Sequence, residues 1–463
     1  VPCGATISGT SGADSLSATS SYDIINGYAG TDTVVFTGNY SDYTVSQTRA
    51  KLLKIVDNRS NGSANQNTNI LHSIEELEFA NLTKVVSHSS SSEFDISTIS
   101  YAKWYSEMTE LSNCGLFASW TSGTQDGSSY GIYNQKFSAD GELSGSEFIA
   151  NTTTSNSQFN PKIAQLNNGK VLVIWQNTNS ACCGKGQLFN KDGSKSGSEF
   201  SVTNDSALGP LPYVDVIPMA DGGFFIVYAA TSGLGRIRGQ RYSELGATVG
   251  SSFTISVLHS YSTANPAIAR FANGNFIVVW NQVLSPKRDI VGALFDSSAT
   301  IIGGNPKIIS AQTGFPNNAK VAVLSDQKFV VTWTSGSSSS GNILAQGYDS
   351  SFNKIGTAFS VSNSSIGSFP DIVDYGANGF TVCWISGSSD LKCRIYTSLG
   401  NPISAPFLVK TVSGFDGTSK SYPSLTSLND GGFILTNING NSVVGERFDS
   451  TGTILKVISL TTK

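Results

Sequence analysis

Charge is scarce in this sequence. Asp, Glu, Lys and Arg make up 13% of its 463 residues, and 29 basic against 33 acidic side chains leave a formal net charge of −4. Such a chain has no basic footprint for nucleic acid or for an anionic membrane surface, so neither is expected as a partner. Histidine is scarcer still: His72, His88 and His259 are the full set, and none has a second ligand at metal-binding spacing. No apolar run approaches the roughly 20 residues of a membrane-spanning helix, which reads as a soluble chain. The sequence also lacks a nucleophile elbow, a phosphate-cradling loop, paired zinc spacings and an HExxH helix. Asp215, Asp289 and Asp371 are the acidic residues considered for chemistry. No common repeat frame is seen for them, and each reads as a solvated turn or strand-edge residue.

What the sequence does have is one strand written many times. "NGNFIVVWNQ" at 274–283 has near copies in "NGKVLVIWQN", "DQKFVVTWTS" and "NGFTVCWISG". The aromatic closing each apolar run falls at Trp120, Trp175, Tyr228, Trp280, Trp333 and Trp384, with Asn437 in the same frame, at gaps of 55, 53, 52, 53, 51 and 53. A period of about 50 residues made of short strands is the signature of a propeller blade. The unit around Trp280 divides into four strands, "NPAIARFA", "NFIVVW", "DIVGALFD" and "PKIIS". Fourteen residues before the aromatic a proline opens the first strand in four units, Pro161, Pro266, Pro370 and Pro423, where a lost N–H is cheap. Eleven residues beyond the third-strand aromatic stands a Phe in most units: Phe148, Phe200, Phe253, Phe359 and Phe407. One blade cannot bury both faces of its sheet, so the apolar strands must stack around a ring, and the Trp set is read as inter-blade core rather than as a ligand-stacking box.

Closure of the ring is also legible. The seventh unit has no Phe at its outer position, since the step from Phe448 lands on Ser459, while "SSEFDIS" upstream of the first unit copies "GSEFIAN" and "GSEFSVT". Residues 92–97 are therefore expected to complete the last blade. The final "TGTILKVISLTTK" then either leaves the ring or, on the competing reading, supplies that outer strand itself. The expected fold is all-β: a seven-bladed β-propeller of four-stranded blades over 89–463, preceded by a small β-roll-like domain over 1–88, with Ser-rich 87–92 as linker.

Residues 9–35 divide into three nonapeptides, "GTSGADSLS", "ATSSYDIIN" and "GYAGTDTVV", each with Asp sixth and an apolar residue eighth. This resembles the hemolysin-type calcium-binding nonapeptide of RTX proteins, and the resemblance extends over about 5–83. It implies that Ca²⁺, if bound, is held by Asp14 and Asp32 with nearby carbonyls, a hard cation needing several converging oxygens. Asp23, in a unit without both loop glycines, is the weaker candidate. A degenerate roll without metal is the competing reading.

The chain begins "VPCGATISG", which reads as a mature secreted chain. Its six cysteines agree with an oxidising compartment. Cys383 and Cys393 flank a hairpin and suit a cross-strand bridge; adjacent Cys182 and Cys183 are read as a vicinal pair, leaving Cys3 with Cys114, although connectivity is not readable from sequence. Seven sequons, at Asn39, Asn58, Asn61, Asn81, Asn151, Asn204 and Asn363, offer glycosylation sites. On this basis the sequence predicts a non-enzymatic secreted structural protein, a subunit of an extracellular filament, coat or surface appendage. It would self-associate into a homopolymer or join other subunits through spare terminal strands. A carbohydrate-binding propeller of an adhesin, with glycans as partners, is the alternative, although the loops after the Trp share no repeated polar or aromatic position. A propeller enzyme ranks below both.

Overall fold

The computed structural model describes residues 5–10, 12–19, 23–27, 30–59, 68–72, 74–88, 92–139, 141–178, 184–202, 213–230, 236–257, 265–284, 287–311, 316–336, 340–363, 365–374, 376, 379–412, 422–449, 452–455 and 458–462. Each repeat unit folds as an antiparallel meander. Blade 1, for example, runs Lys103–Glu110, Leu116–Gly123, Tyr130–Phe137 and Phe148–Ile149, and blades 2 to 6 repeat that order. The seven first strands contact one another in sequence around a common centre, and that of blade 7, Ser424–Ser427, meets that of blade 1. This is the seven-bladed propeller that the period of the aromatics predicts.

The second strands explain why the repeat is so apolar. Val171–Asn177 and Leu116–Gly123 are buried at every position. Both faces of each blade are covered by neighbours, so alternation is replaced by a continuous apolar run. Each closing aromatic packs back onto the preceding blade. Trp280 lies with Phe225 and Val227, Trp333 with Ile277 and Val279, and Trp384 with Val330 and Ile343. Trp120 lies with Phe94, Leu428 and Ile434, so the same contact joins blade 1 to blade 7. Asn437, in the Trp frame of blade 7, is itself fully buried.

Blade 7 is closed by Glu93–Asp95, which pairs antiparallel to Ser442–Phe448 with Phe94 opposite Gly445. That register is the one every outer-strand Phe adopts: Phe148 faces Asn134, Phe200 Gly186, Phe253 Gly239, Phe359 Ala345 and Phe407 Cys393. The ring of Phe94 fills the space of a side chain at Gly445, where a Cβ would sit 2.6 Å from it, as Phe200 does at Gly186. The chain thus closes its ring with a strand from before the first blade. The last strand, Ile458–Thr462, leaves the propeller and pairs antiparallel with Leu82–His88. This removes the reading of Ile454–Leu460 as the outer strand of blade 7. It also occupies the C-terminal strand that self-association was expected to use.

The N-terminal residues form one five-stranded sheet and, with Ile458–Thr462, a second. Ala5–Ser8 pairs in parallel with Asp23–Asn26, and Ser15–Ser17 with Thr33–Val35, each partner lying 18 residues on, an offset of two nonapeptides. Ile25, Val34, Leu53, Leu71 and Leu77 fill the space between the sheets. The domain rests on the propeller at hairpin turns of blades 1 and 7: Arg49 N–H donates to Glu142 and Asn26 Nδ2 to the Asp430 carbonyl.

A buried glutamine stitches the third and fourth strands in four blades. The Nε2 groups of Gln135, Gln187, Gln240 and Gln346 each donate to the next carbonyl in their own strand; the last three also donate to one in the outer strand, and Gln135 to the Gly145 carbonyl just before it. Blade 7 puts Glu446 at this place, 1% exposed and 3.1 Å from Lys410 of blade 6, which also meets Glu93 at 2.5 Å. Burial pushes the Glu446 carboxyl up to about 7, with Lys410 opposing. A carboxyl whose pKa is raised by folding contributes most below its unfolded value, and that contribution is lost as pH rises through the folded value. Two outcomes are expected. Glu446→Gln raises the thermal midpoint at pH 8 relative to wild type and changes it far less at pH 5. Phe94→Ala, which opens the closing strand, lowers stability by about 3–5 kcal/mol in denaturant titrations.

Candidate functional site

The start of each first strand lies at one end of the central channel, and one position of the repeat turns into it. Thirteen residues before the closing aromatic stand Glu107, Lys162, Asp215, Ala267, Lys320, Asp371 and Ser424. Five of the seven are ionisable. Asp215 and Asp371, which had seemed to share no frame, occupy the same position in blades 3 and 6, one residue past the place of the repeat proline. Of the seven, all but Ala267 line a cavity of about 430 Å³ at the channel mouth. The N-terminal domain touches the hairpins between first and second and between third and fourth strands, at the opposite end, and none of its described residues lines this mouth.

Four blades distort to present these residues. The pairing of first with second strand slips between Trp104 and Glu107, Phe159 and Lys162, Asn317 and Lys320, and Ser368 and Asp371. Inside each slip lies a non-glycine residue in the left-handed region: Tyr105 at φ 49, Asn160 at 55, Asn318 at 52 and Phe369 at 52. A bulge re-aims the side chain that follows it. Asn adopts positive φ with little strain, but aromatic residues do so only where surrounding structure imposes it. Each of the four bulges precedes a charged residue; in blades 3, 4 and 7, with Asp215, Ala267 and Ser424 at this position, the described pairing runs without a slip.

The charges are held by one another and by the backbone of the next blade. Glu107 accepts hydrogen bonds from Lys162 Nζ and, at 2.9 Å, from Ser424 Oγ. Asp215 accepts the Ile268 N–H at 3.1 Å and Asp371 the Leu425 N–H at 2.8 Å, so each aspartate caps the strand of the following blade, the one bearing the small residue. Asp215 Oδ1 also takes its neighbour Val216 N–H at 2.9 Å. Lys320 Nζ lies 3.8 Å from Asp371 Oδ1. Burial pushes Glu107 up, but Lys162, Lys320 and the two hydrogen bonds outweigh it and hold the carboxyl below its ordinary range. Burial wins at Asp215 and Asp371, which both lie above the usual range against the opposing pull of the lysines. One mouth therefore holds an acid kept ionised beside acids driven toward their neutral form.

The rim is two-sided. Phe369 and Tyr422 have ring centres 4.0 Å apart, Tyr422 and Tyr105 6.1 Å, and Tyr105 and Phe159 6.4 Å, an aromatic arc across blades 6, 7, 1 and 2. Across the mouth Asn265 Nδ2 donates to Asn318 Oδ1 at 3.1 Å. Flat apolar faces opposite amides suit a ligand with apolar C–H faces and a periphery of hydroxyls.

The residues singled out from sequence lie elsewhere. Asp289 is buried in the third strand of blade 4, outside the cavity. In the nonapeptides, Asp14 accepts from Thr10 N–H and Oγ1, and Asp23 from Thr19 N–H and Oγ1, so each closes its own turn through a Thr four residues before it. The third unit has Tyr28 in place of that Thr; Asp32 instead accepts the Asp14 N–H at 2.9 Å, and its Oδ2 is buried without a partner. Among the described residues no three His, Cys, Asp or Glu side chains gather as metal ligands.

Cys383 and Cys393 lie directly opposite one another and form the expected disulfide. Cys114 is disulfide-bonded, and Cys3, Cys182 and Cys183 lie outside the described residues. Asn39, Asn58, Asn81 and Asn363 are exposed, while Asn61 and Asn204 lie outside the described residues. Asn151 is a correction. It is 1% exposed, and its amide donates to the Thr153 carbonyl and to Gln158 while its carbonyl accepts the Ile132 N–H, which leaves no room for a glycan.

The sequence matches no protein-family model and no curated protein. Solved structures share the fold. A polysaccharide lyase, the PL25 ulvan lyase, superposes with a TM-score of 0.53 at 9% identity over 79% of this chain and 97% of its own. The same enzyme bound to -[GlcA(1-4)Rha3S]- gives 0.52 at 9% identity and the same coverage. An α-L-arabinanase of Penicillium chrysogenum complexed with arabinobiose gives 0.46 at 13% identity over 63% of this chain and 93% of its own. The expectation of a chain without enzymatic activity is corrected by the lyase match, because the propeller fold found here is also that of a polysaccharide lyase. This chain's channel brings together ionisable groups from strands about 50 residues apart, which a search for contiguous motifs passes over. The signal was present one residue beyond the repeat proline.

Removing one partner of a mostly buried ion pair leaves the other uncompensated. Lys162→Met is expected to cost about 3–5 kcal/mol. Lys162→Met with Glu107→Leu should recover most of that loss in the same denaturant titration, showing that the charges are not there for stability.

Proposed function

We propose that the protein is a carbohydrate-active enzyme that hydrolyses glycosidic bonds of a polysaccharide at the channel mouth and works outside the cell. The observation carrying this reading is the split between Glu107, held ionised, and Asp371, driven toward its protonated form, in one cavity. Glycosidic hydrolysis uses such a pair, one carboxyl giving a proton to the departing oxygen and one carboxylate activating the attacking group. Asp371 suits the acid: Oδ2 takes the Leu425 N–H, and Oδ1 accepts no hydrogen bond among the described residues. Glu107, steadied by Lys162 and Ser424, suits the base that takes the proton of the attacking water. Asp215, with an N–H on each oxygen, positions the ring. The Cys383–Cys393 bridge supports an oxidising location, and no helix among the described residues is long and apolar enough to cross a membrane.

The test is incubation with a panel of plant, algal and microbial polysaccharides, followed by assay of new reducing ends. Cleavage is expected, with Glu107→Gln and Asp371→Asn each lowering kcat by about 10²–10⁴-fold. Asp371→Asn should also remove the alkaline limb of the pH profile, because the protonated acid is the form lost as pH rises. Products with unsaturated ends would overturn the hydrolytic assignment. Full activity in both variants would overturn the site.

A further inference from the structure

The two channel lysines share a repeat position but not a situation. Lys162 has 17% of its side chain exposed and is bound to Glu107. Lys320 is 38% exposed; its nearest carboxylate oxygen, Asp371 Oδ1, is 3.8 Å away, and its ammonium donates no hydrogen bond among the described residues. The bulge at Asn318, in the left-handed region, turns this lysine into the mouth. Beside it the Asn265 to Asn318 hydrogen bond consumes one donor and one acceptor, and Asn265 Oδ1 is left buried without a partner. An ammonium is strongly hydrated, and it gives up that hydration favourably only to an anion. A buried carbonyl without a partner calls for a donor such as a hydroxyl. Cation and orphan acceptor lie on one side of the mouth, and the closely packed, tilted rings of Phe369 and Tyr422 provide apolar surface from the other lining blades.

Building on the carbohydrate-active reading, we propose that the saccharide is anionic, with its carboxylate or sulfate bound by Lys320 and a neighbouring hydroxyl donating to Asn265 Oδ1. Lys320 is then a specificity residue: it selects the charged sugar, while Glu107 and Asp371 act on the bond.

Calorimetry with the full chain tests this, using a tetra-uronate, a sulfated tetrasaccharide and a neutral tetrasaccharide, with cleavage followed separately by product analysis. At least one anionic probe should bind about tenfold or more tighter than the neutral one, the effect of one charge-assisted hydrogen bond. Lys320→Met should abolish that preference and Lys320→Arg should keep it. Preference for the uronate alone or the sulfated sugar alone identifies the anion, and either supports the proposal. Equal binding of the neutral probe, preference surviving in Lys320→Met, or no binding of any probe would overturn it. Cleavage of a neutral polysaccharide alongside equal binding would leave the hydrolytic reading standing while removing this one.

Discussion

The burial of both faces of each second strand is the constraint from which the rest of the molecule follows. A sheet with two apolar faces has no stable life in water by itself, so seven of them are driven to cover one another, and the arrangement that leaves none uncovered is a closed ring. The aromatics mark the contact, each Trp packing onto the blade before it. The requirement reaches the ends of the chain. Phe94 is placed where the outer phenylalanines of other blades sit, on the partner position of the third strand, so the last blade is completed from the N-terminal side.

A ring so determined leaves its centre free to vary. First strands converge there without having to bury an apolar face on the axis, and the position thirteen residues before the aromatic therefore tolerates Glu, Lys, Asp, Ala and Ser in turn. Charges placed close together must be compensated. Glu107 with Lys162 and the aspartates with backbone N–H groups of following blades meet that need, and the same contacts tie neighbouring blades at their innermost point. The left-handed Tyr105 and Phe369 hold unfavourable backbone in place beside this cluster. Such strain persists only where the surrounding structure over-determines it, and here it sits beside ionisable side chains in a cavity.

The N-terminal domain shows how a motif's residues can serve the backbone. Asp14 and Asp23 each receive the amide and hydroxyl of a Thr four residues earlier, repeating every nine residues. Where Tyr28 replaces the Thr, Asp32 reaches across to Asp14 N–H. The returning C-terminal strand on Leu82–His88 then joins this domain to the end of the propeller chain.

The number of blades, the packing role of the aromatics, the closing strand and the hairpin disulfide were legible in the residues, because each depends on periodicity or on short separation along the chain. The channel site was legible only in part. The proline marking its start was visible, but the charges one residue later differ in sign from blade to blade and show no repeated chemistry until the ring brings them together. Loops after the Trp drew attention as the place for a repeated ligand site, whereas the charged residues of the mouth come from the starts of the first strands. Local pattern determined how each blade must fold and that blades must stack; only the closed tertiary structure decided which side chains face one another across the axis, since those meetings join residues whose separation leaves no trace in any short stretch.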